Sequence, residues 1–386
     1  MYLAHLSLTN FRSYRRLELS LPPGMVVLQG ANAQGKTNLL EAVYLLAIAR
    51  SFRAEHEREL LHWNAVSEGH ALVKGTVQRR DREVQVVIGF QRLPGAEQGT
   101  PVFQVRKRIR VNGTPRLASG LVGQANAVLF TAEDIQLVQG APSLRRRYLD
   151  ILLSQVESRY LRSLQRYQRV LTQRNHLLRL LREGRAAGEE LRFWDEELAR
   201  EGGYLLVRRR EVVEALASLA QGVHQELTTG SESLELSYAS TVPLAADAEQ
   251  QAQALLGALA QSGARERALA MTLVGPHRDD VKLLINGVDM ELYASRGQAR
   301  TLALALRLAE AAYLQSLTGE EPILLLDDVL SELDLWRRRQ VLERAQAHQQ
   351  ALITTTDLVL LPPPFLQQAT LLEAKEGTVT GLEDGP

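Results

Sequence analysis

The sequence contains no cysteine, which excludes disulfides and every thiolate metal site and fits a reducing cytoplasm. Its eight histidines are scattered, with no pair at metal-ligand spacing, so no histidine metal site is expected. No apolar run approaches the ~20 residues of a membrane span. Met1-Tyr2-Leu3-Ala4-His5 also lacks the basic-then-apolar pattern of a signal peptide, and the expectation is a soluble, cytoplasmic chain with no membrane partner. Net charge is missing as well: 45 basic and 45 acidic side chains give +0, so any patch that attracts a polyanion must be local. What is abundant is apolar surface. At 45% hydrophobic over 386 residues, the chain can build two or three domains with real cores.

One stretch organises the rest. Gly30-Ala31-Asn32-Ala33-Gln34-Gly35-Lys36-Thr37 is a full G-x-x-x-x-G-K-T phosphate-binding loop. Met25-Val26-Val27-Leu28 before it reads as a buried strand, and the run from Asn38 to Leu46 reads as a helix. That context is what the chemistry needs. Glycines let backbone N–H groups turn onto phosphates, and the helix N-terminus adds partial positive charge. Lys36 reaches the β/γ-phosphates, and the Thr37 hydroxyl can ligate Mg²⁺.

Around the loop, Leu3 to Leu8 and Arg16 to Leu21 alternate as strands, turned by Asn10-Phe11-Arg12-Ser13-Tyr14. Arg50-Ser51-Phe52-Arg53 gathers potential phosphate-binding groups beside an aromatic. From Ala71 to Val111 three strand-like runs, with turns at Leu93-Pro94-Gly95 and Asn112-Gly113, predict an antiparallel meander. Composition then shifts. Ser143 to Arg182 carries ten arginines against Asp150 and Glu157. Arg159, Arg162, Arg166 and Arg169 fall on one helical face, with Leu161, Leu164 and Leu171 roughly opposite. Such a face either tracks nucleic-acid phosphates or is simply solvated in an arginine-rich chain. A second helical stretch, about Gly188 to Leu227, completes an antiparallel hairpin of about 40 residues each way, or ~60 Å if unbroken. Ala245 to Ala260 reads as one more helix beside a mobile loop.

The C-terminal third carries the other half of the chemistry. Pro322 to Asp328 is an apolar run ending in two carboxylates, the form of a buried parallel strand whose terminal acid holds Mg²⁺ beside a phosphate loop. Ser295-Arg296-Gly297-Gln298 opens a long amphipathic helix before it. Ser331-Glu332-Leu333-Asp334 and the strand-like Ala351-Leu352-Ile353-Thr354 follow.

Phosphate loop, S-x-G-Q, acid-tipped strand and S-x-L-D, in that order, resemble the ATP-binding-cassette (ABC) ATPases. Asn10 to Tyr14 resembles the branch containing SMC and Rad50-type ATPases. The segments 50–53, 140–147, 275–280 and 326–334 are similar to the RecF family of bacterial recombination mediators. The fold implied is an α/β ABC-type (P-loop) ATPase head built from residues 1–142 and 266–386, with a mainly α-helical arm at 143–265. The resemblance implies an ATP-dependent homodimer. Gly30 to Thr37 with Asn38 and Arg12 would bind ATP, Thr37 and Asp327 would hold Mg²⁺, and Lys36, Asp327 and Asp328 would serve catalysis. Ser295, Gly297 and Gln298 would cap the nucleotide of the opposite copy, with Asp334 acting across the interface. It further implies a weak, switch-like ATPase that clamps double-stranded DNA near single-strand gaps and ss/ds junctions. RecR with RecO would be partners, and RecA the recombinase it helps load.

Three departures qualify this picture. Asp328 stands where most cassette ATPases have glutamate, and Thr354-Thr355-Thr356-Asp357 stands at the usual switch histidine. The glutamine that would ligate Mg²⁺ is open among Gln124, Gln136 and Gln139. His277, after Gly275-Pro276, is read as structural, and Arg278 as either a bridge or a nucleotide contact. A transporter-type energy-coupling subunit predicts a shorter insertion without the arginine-rich arm. A nucleotide-binding scaffold acting on a protein partner predicts ATP binding without turnover.

Overall fold

The computed structural model describes residues 1–65, 68–93 and 103–382; the Pro94-Gly95 part of one expected turn lies outside them. In chain order the strands are β1 (Tyr2–Phe11), β2 (Tyr14–Ser20), β3 (Gly24–Gln29), β4 (His70–Gln78), β5 (Glu83–Arg92), β6 (Val105–Val111), β7 (Thr114–Arg116), β8 (Ala127–Thr131), β9 (Leu234–Ala239), β10 (Asp280–Ile285), β11 (Val288–Asp289), β12 (Ile323–Asp327), β13 (Gln350–Thr355), β14 (Thr370–Lys375) and β15 (Thr378–Gly381). The principal helices are α1 (Lys36–Ile48), α2 (Pro142–Val156), α3 (Ser158–Arg182), α4 (Leu191–Leu227), α5 (Ala248–Leu269), α6 (Arg296–Thr318) and α7 (Leu335–Ala347). They form two compact units, Met1–Asp134 with Glu310–Pro386, and Ile135–Ala309.

The first unit holds two six-stranded sheets, ordered β2-β1-β4-β5-β6-β7 and β15-β14-β3-β13-β12-β8. The first is antiparallel throughout, so the meander from Ala71 to Val111 forms as expected. Asn112 and Gly113 turn it with φ of 49° and 76°, the left-handed pair that a tight hairpin needs. In the second sheet β3, β13, β12, β8 and β14 are parallel. Their runs are apolar without alternation, as strands covered on both faces require. Helix α1 packs on strands of both sheets, which explains why Leu39, Leu40, Val43, Leu45 and Leu46 bury residues all round it. At Gly75 on β4 an added Cβ would lie 2.3 Å from Leu46 Cδ1, so a larger residue there would force the Leu46 side chain of α1 to move.

The second unit is mainly helical, with the antiparallel sheet β11-β10-β9. Its hairpin differs from expectation in two ways. The first arm is broken at Glu157, whose extended backbone (φ −135°, ψ 97°) separates α2 from α3. Only α4 is long and continuous, at 37 residues. The buried stripe of α3 is Tyr160, Leu164, Tyr167, Val170, Leu177 and Leu178, and Leu161 and Leu171 are only partly covered. Arg174 belongs to that buried stripe, at 1% exposed, and Arg145 on α2 also points inward, at 3%. The loop before α5 is also tied down, since buried Gln251 accepts from Ala245 N at 2.7 Å and donates to Pro243 O at 2.9 Å.

Arg174 shows how this unit is pinned. It donates to Asp195 Oδ1 at 2.6 Å, Glu266 Oε2 at 2.6 Å and Thr272 Oγ1 at 2.8 Å, joining α3, α4 and α5. Arg174→Ala would strand the fully buried Glu266 as an uncompensated charge, costing about 3–5 kcal/mol. Denaturant unfolding followed by circular dichroism is expected to show that loss, whereas exposed Arg179→Ala should change stability little.

Candidate nucleotide-binding site

The loop Gly30 to Thr37 leaves β3 and enters α1, at the carboxyl edge of the parallel strands where α/β sheets bind ligands. Neighbouring turns fix its shape. A Cβ on Gly30 would sit 2.5 Å from Ala374 O on β14, and one on Gly35 (φ 101°) 2.6 Å from Ser13 Oγ. Tyr14 donates its hydroxyl proton to Gly35 O at 3.0 Å, and Asn38 Nδ2 donates to Ser13 Oγ at 2.7 Å. Gln34 accepts from Glu376 N at 2.6 Å in the β14–β15 turn. Lys36 Nζ lies along the loop, donating to Gly30 O at 2.6 Å and Ala31 O at 2.9 Å. Burial lowers its pKa, against the attraction of Asp328 and Asp327.

Two motifs 290 residues apart meet here. Thr37 Oγ1 donates to Asp327 Oδ1 at 2.9 Å, and Thr354 Oγ1 donates to the same oxygen at 2.8 Å. Thr354 Oγ1 in turn accepts from Asp328 N at 3.0 Å. A threonine hydroxyl thus braces both acids from the position where most cassette ATPases carry a switch histidine, a role that sequence reasoning missed. Asp328 is left-handed (φ 53°), and its Oδ1 is buried without a hydrogen-bond partner. Burial raises its pKa; Lys36 opposes this, while Asp327 and Glu332 reinforce it. A carboxylate made more basic, with one oxygen lacking a hydrogen-bond partner, is suited to hold a proton.

Mg²⁺ takes hard oxygen ligands and keeps several waters and substrate phosphates. The paired Thr37 hydroxyl and Asp327 carboxylate are that kind of donor set. Among the described residues no cluster of three His, Cys, Asp or Glu could hold a metal by itself.

Glu41 is the residue the sequence hid. It is fully buried one turn into α1, where it accepts from Arg12 (Nε 2.8 Å, Nη2 2.7 Å), Ser51 Oγ (2.5 Å) and Arg53 (Nε 3.1 Å, Nη2 3.0 Å). Burial alone would raise its pKa, but these donors hold it below the usual range. Arg12 and Ser51-Phe52-Arg53 are therefore anchored on the loop helix. The signal was a lone acid in an apolar run, Leu39-Leu40-Glu41-Ala42-Val43. Asp334 caps α7, accepting from Arg337 N at 2.8 Å, which together with the Arg337 side chain lowers its pKa.

In the second unit, Ser295 and Gln298 form a reciprocal cap at the start of α6: Gln298 N donates to Ser295 Oγ and Ser295 N to Gln298 Oε1, both at 3.2 Å. A Cβ on Gly297 would meet nothing within 4 Å, so that face is open. Of the glutamine candidates, Gln139 donates to Ala294 O at 2.8 Å. On α3, Arg159 lies over the Tyr204 ring at 4.2 Å, Arg166 pairs with Glu197 at 2.8 Å and Arg162 donates to Ser158 Oγ at 3.3 Å. Arg169 is exposed. The segment 275–280 is a staple. His277 bonds Tyr167 at 2.7 Å and Thr272 O at 3.2 Å, and Arg278 donates to Thr272 O at 3.0 Å. Asp279 accepts from Tyr238 at 2.7 Å, and Asp280 from Arg145 at 2.7 Å.

A phosphate loop and an acid-tipped strand joined in one parallel sheet define a P-loop ATPase head, and residues 2–361 match the family described as RecF/RecN/SMC N terminal domain. The chain also shares its fold with the Smc head of Pyrococcus furiosus bound to the C-terminal domain of ScpA (TM-score 0.54, 16% identity, covering 99% of this chain and 96% of that one). Within that class it is 46% identical to the DNA replication and repair protein RecF of Herpetosiphon aurantiacus (98% of this chain, 99% of that one). It is 43% identical to the same protein of Chloroflexus aurantiacus, at the same coverage. Solved structures of the recombination mediator RecF-ATPrS and RecF-ATP in the RecFOR pathway superpose with TM-scores of 0.88 and 0.87, at 33% identity, covering 99% of this chain and 98% of each of those. The chain belongs to the RecF family of DNA replication and repair proteins. That family assignment sets aside the transporter reading. Among the described residues no helix is long and apolar enough to cross a membrane.

Burial lowers the pKa of His277 to about 4. The unfolded chain, near 6.5, therefore binds the proton first as pH falls, and stability drops between pH 6.5 and about 4 by about 3 kcal/mol. His277→Gln is expected to flatten that limb in chemical denaturation at pH 7, 5.5 and 4.5. An unchanged slope would place the acid sensitivity elsewhere.

Proposed function

We propose that this protein is an ATP-switched DNA repair clamp. Two copies would close face to face on ATP, engage double-stranded DNA near single-strand gaps and ss/ds junctions, and let go after slow hydrolysis. The observation that supports this most is the hydrogen bond from Thr37 to Asp327, which joins loop and acid strand as one catalytic edge. Gly30 to Asn38 would cradle the phosphates, Lys36 leaving its loop carbonyls for the β/γ-phosphates. Arg12, with three N–H groups already engaged by Glu41 and Glu59 O, has two more for phosphate contact.

Thr37 and Asp327 would hold Mg²⁺, which when bound offsets phosphate charge. Asp328 would accept the proton of the attacking water. Its side chain is one methylene shorter than glutamate and needs the brace from Thr354, which accords with slow turnover. Ser295, Gly297 and Gln298 of one copy would cap the γ-phosphate held by the other. Their helix start favours anions through free N–H groups and the helix dipole, so losing the γ-phosphate loosens the pair. Asp334 would act at the same junction. Residues 1–142 with 266–386 would be the head, and 143–265 the arm that meets DNA through Arg159, Arg162, Arg166 and Arg169. Arg166 is already paired, so its share of that contact would be smaller. The RecFOR pathway to which the similar ATP-bound structures belong supports RecR with RecO as partners and RecA as the recombinase loaded.

Lys36→Met is expected to abolish ATP-dependent self-association in analytical ultracentrifugation. Ser295→Arg should abolish it while equilibrium dialysis still finds ATP bound to the monomer. Self-association by Lys36→Met would refute the phosphate-loop assignment, and by Ser295→Arg the capping in trans.

A further inference from the structure

The Ser295–Gln298 cap depends on which way the Gln298 amide points. Its oxygen accepts from Ser295 N at 3.2 Å, and its nitrogen donates to Glu232 Oε1 at 3.0 Å. Rotating the amide by half a turn would set N–H against N–H at Ser295 and oxygen against carboxylate at Glu232. Glu232 therefore selects the orientation in which the cap can form. With the cap formed, Ser295 Oγ accepts from Gln298 N. The Ser295 oxygen is thus occupied as an acceptor, which leaves its proton to be donated to an incoming anion beside the first N–H groups of the helix, those of Arg296 and Gly297.

Glu232 is itself held rigidly. Its other oxygen, Oε2, meets Nε2 of the fully buried His224 at 2.9 Å, in the last turn of α4. The turn that carries it is closed by Thr228, whose carbonyl accepts from Ser231 Oγ at 2.7 Å and whose hydroxyl donates to His224 O at 2.7 Å. Immediately after it, Ser233 and Asn286 exchange hydrogen bonds at 2.9 Å in both directions. The carboxylate thus links the end of the long α4 to the start of α6, entirely within the second unit.

We propose that Glu232 is a positioning residue: by fixing the Gln298 amide it preorganises the α6 N-terminus to receive a nucleotide γ-phosphate. This rests on the reading that Ser295 and Gly297 cap nucleotide, and the test separates the two. In sedimentation velocity with Mg-ATP, Glu232→Ala is expected to weaken self-association about tenfold, the worth of one charge-assisted hydrogen bond. ATP binding to the monomer should stay unchanged, since the phosphate loop lies in the other unit.

Gln298→Ala should produce the same weakening, and the double variant no more than either single one, because both remove one linked element. Glu232→Gln, which keeps an acceptor, should restore most of the association. A merely structural role would lower thermal stability in all variants without that ATP-specific, non-additive pattern. Wild-type association by Glu232→Ala, or additive losses in the double variant, would overturn the proposal. Wild-type association by Ser295→Arg would instead overturn the capping reading beneath it.

Discussion

The hydrogen bond between Thr37 and Asp327 is the constraint on which the site depends. It requires β3 and β12 to lie in one parallel sheet, separated only by β13. Every residue from the inserted second unit must therefore leave and return without disturbing that register. The β13 strand supplies the third member, since Thr354 stands opposite Asp327 in the ladder and bonds both its carboxylate and the next backbone N–H. This threonine-braced edge is thus a property of strand order.

Buried charge does a second kind of work. In the first unit, Glu41 gathers Arg12, Ser51 and Arg53 onto the phosphate-loop helix. In the second, Arg145, Arg174 and Arg209 each bind acids or carbonyls from several elements. Arg209 alone reaches Asp150 at 2.7 Å and the Tyr160 hydroxyl at 2.9 Å. Such pairs contribute little net stability when compared with apolar packing, but they strongly penalise arrangements in which a partner is lost. In a unit made largely of helices, where registers can slip, they specify which helix faces which.

How much of this was legible in the sequence follows from the range of each interaction. The phosphate loop, its flanking strand and helix, the acid-tipped strand and the meander all announce themselves locally, through periodicity and turn residues within ten or so positions. Ser295 and Gln298 also form a local motif, three residues apart. Glu41, Thr354 and Glu232 could not be found that way, because the partners that give them their roles, Arg12, Asp327 and Gln298, lie 29, 27 and 66 residues away. The same limit explains the arginine-rich segment. Counting charge gave Arg145, Arg174 and Arg169 equal standing, yet two are buried among acids and only the last is exposed. The break at Glu157 escaped for another reason: no proline or glycine marks it, and helical periodicity runs through.

The central claim is that ATP, by joining two copies, creates the DNA-binding form. Sedimentation velocity of the protein with a labelled gapped duplex, with and without Mg-ATP at two salt concentrations, tests it most directly. The account predicts conversion of monomer to dimer only with ATP, with the label moving at the dimer's rate and released at higher salt as phosphate contacts require. A dimer that forms with ATP and leaves the DNA behind would contradict it.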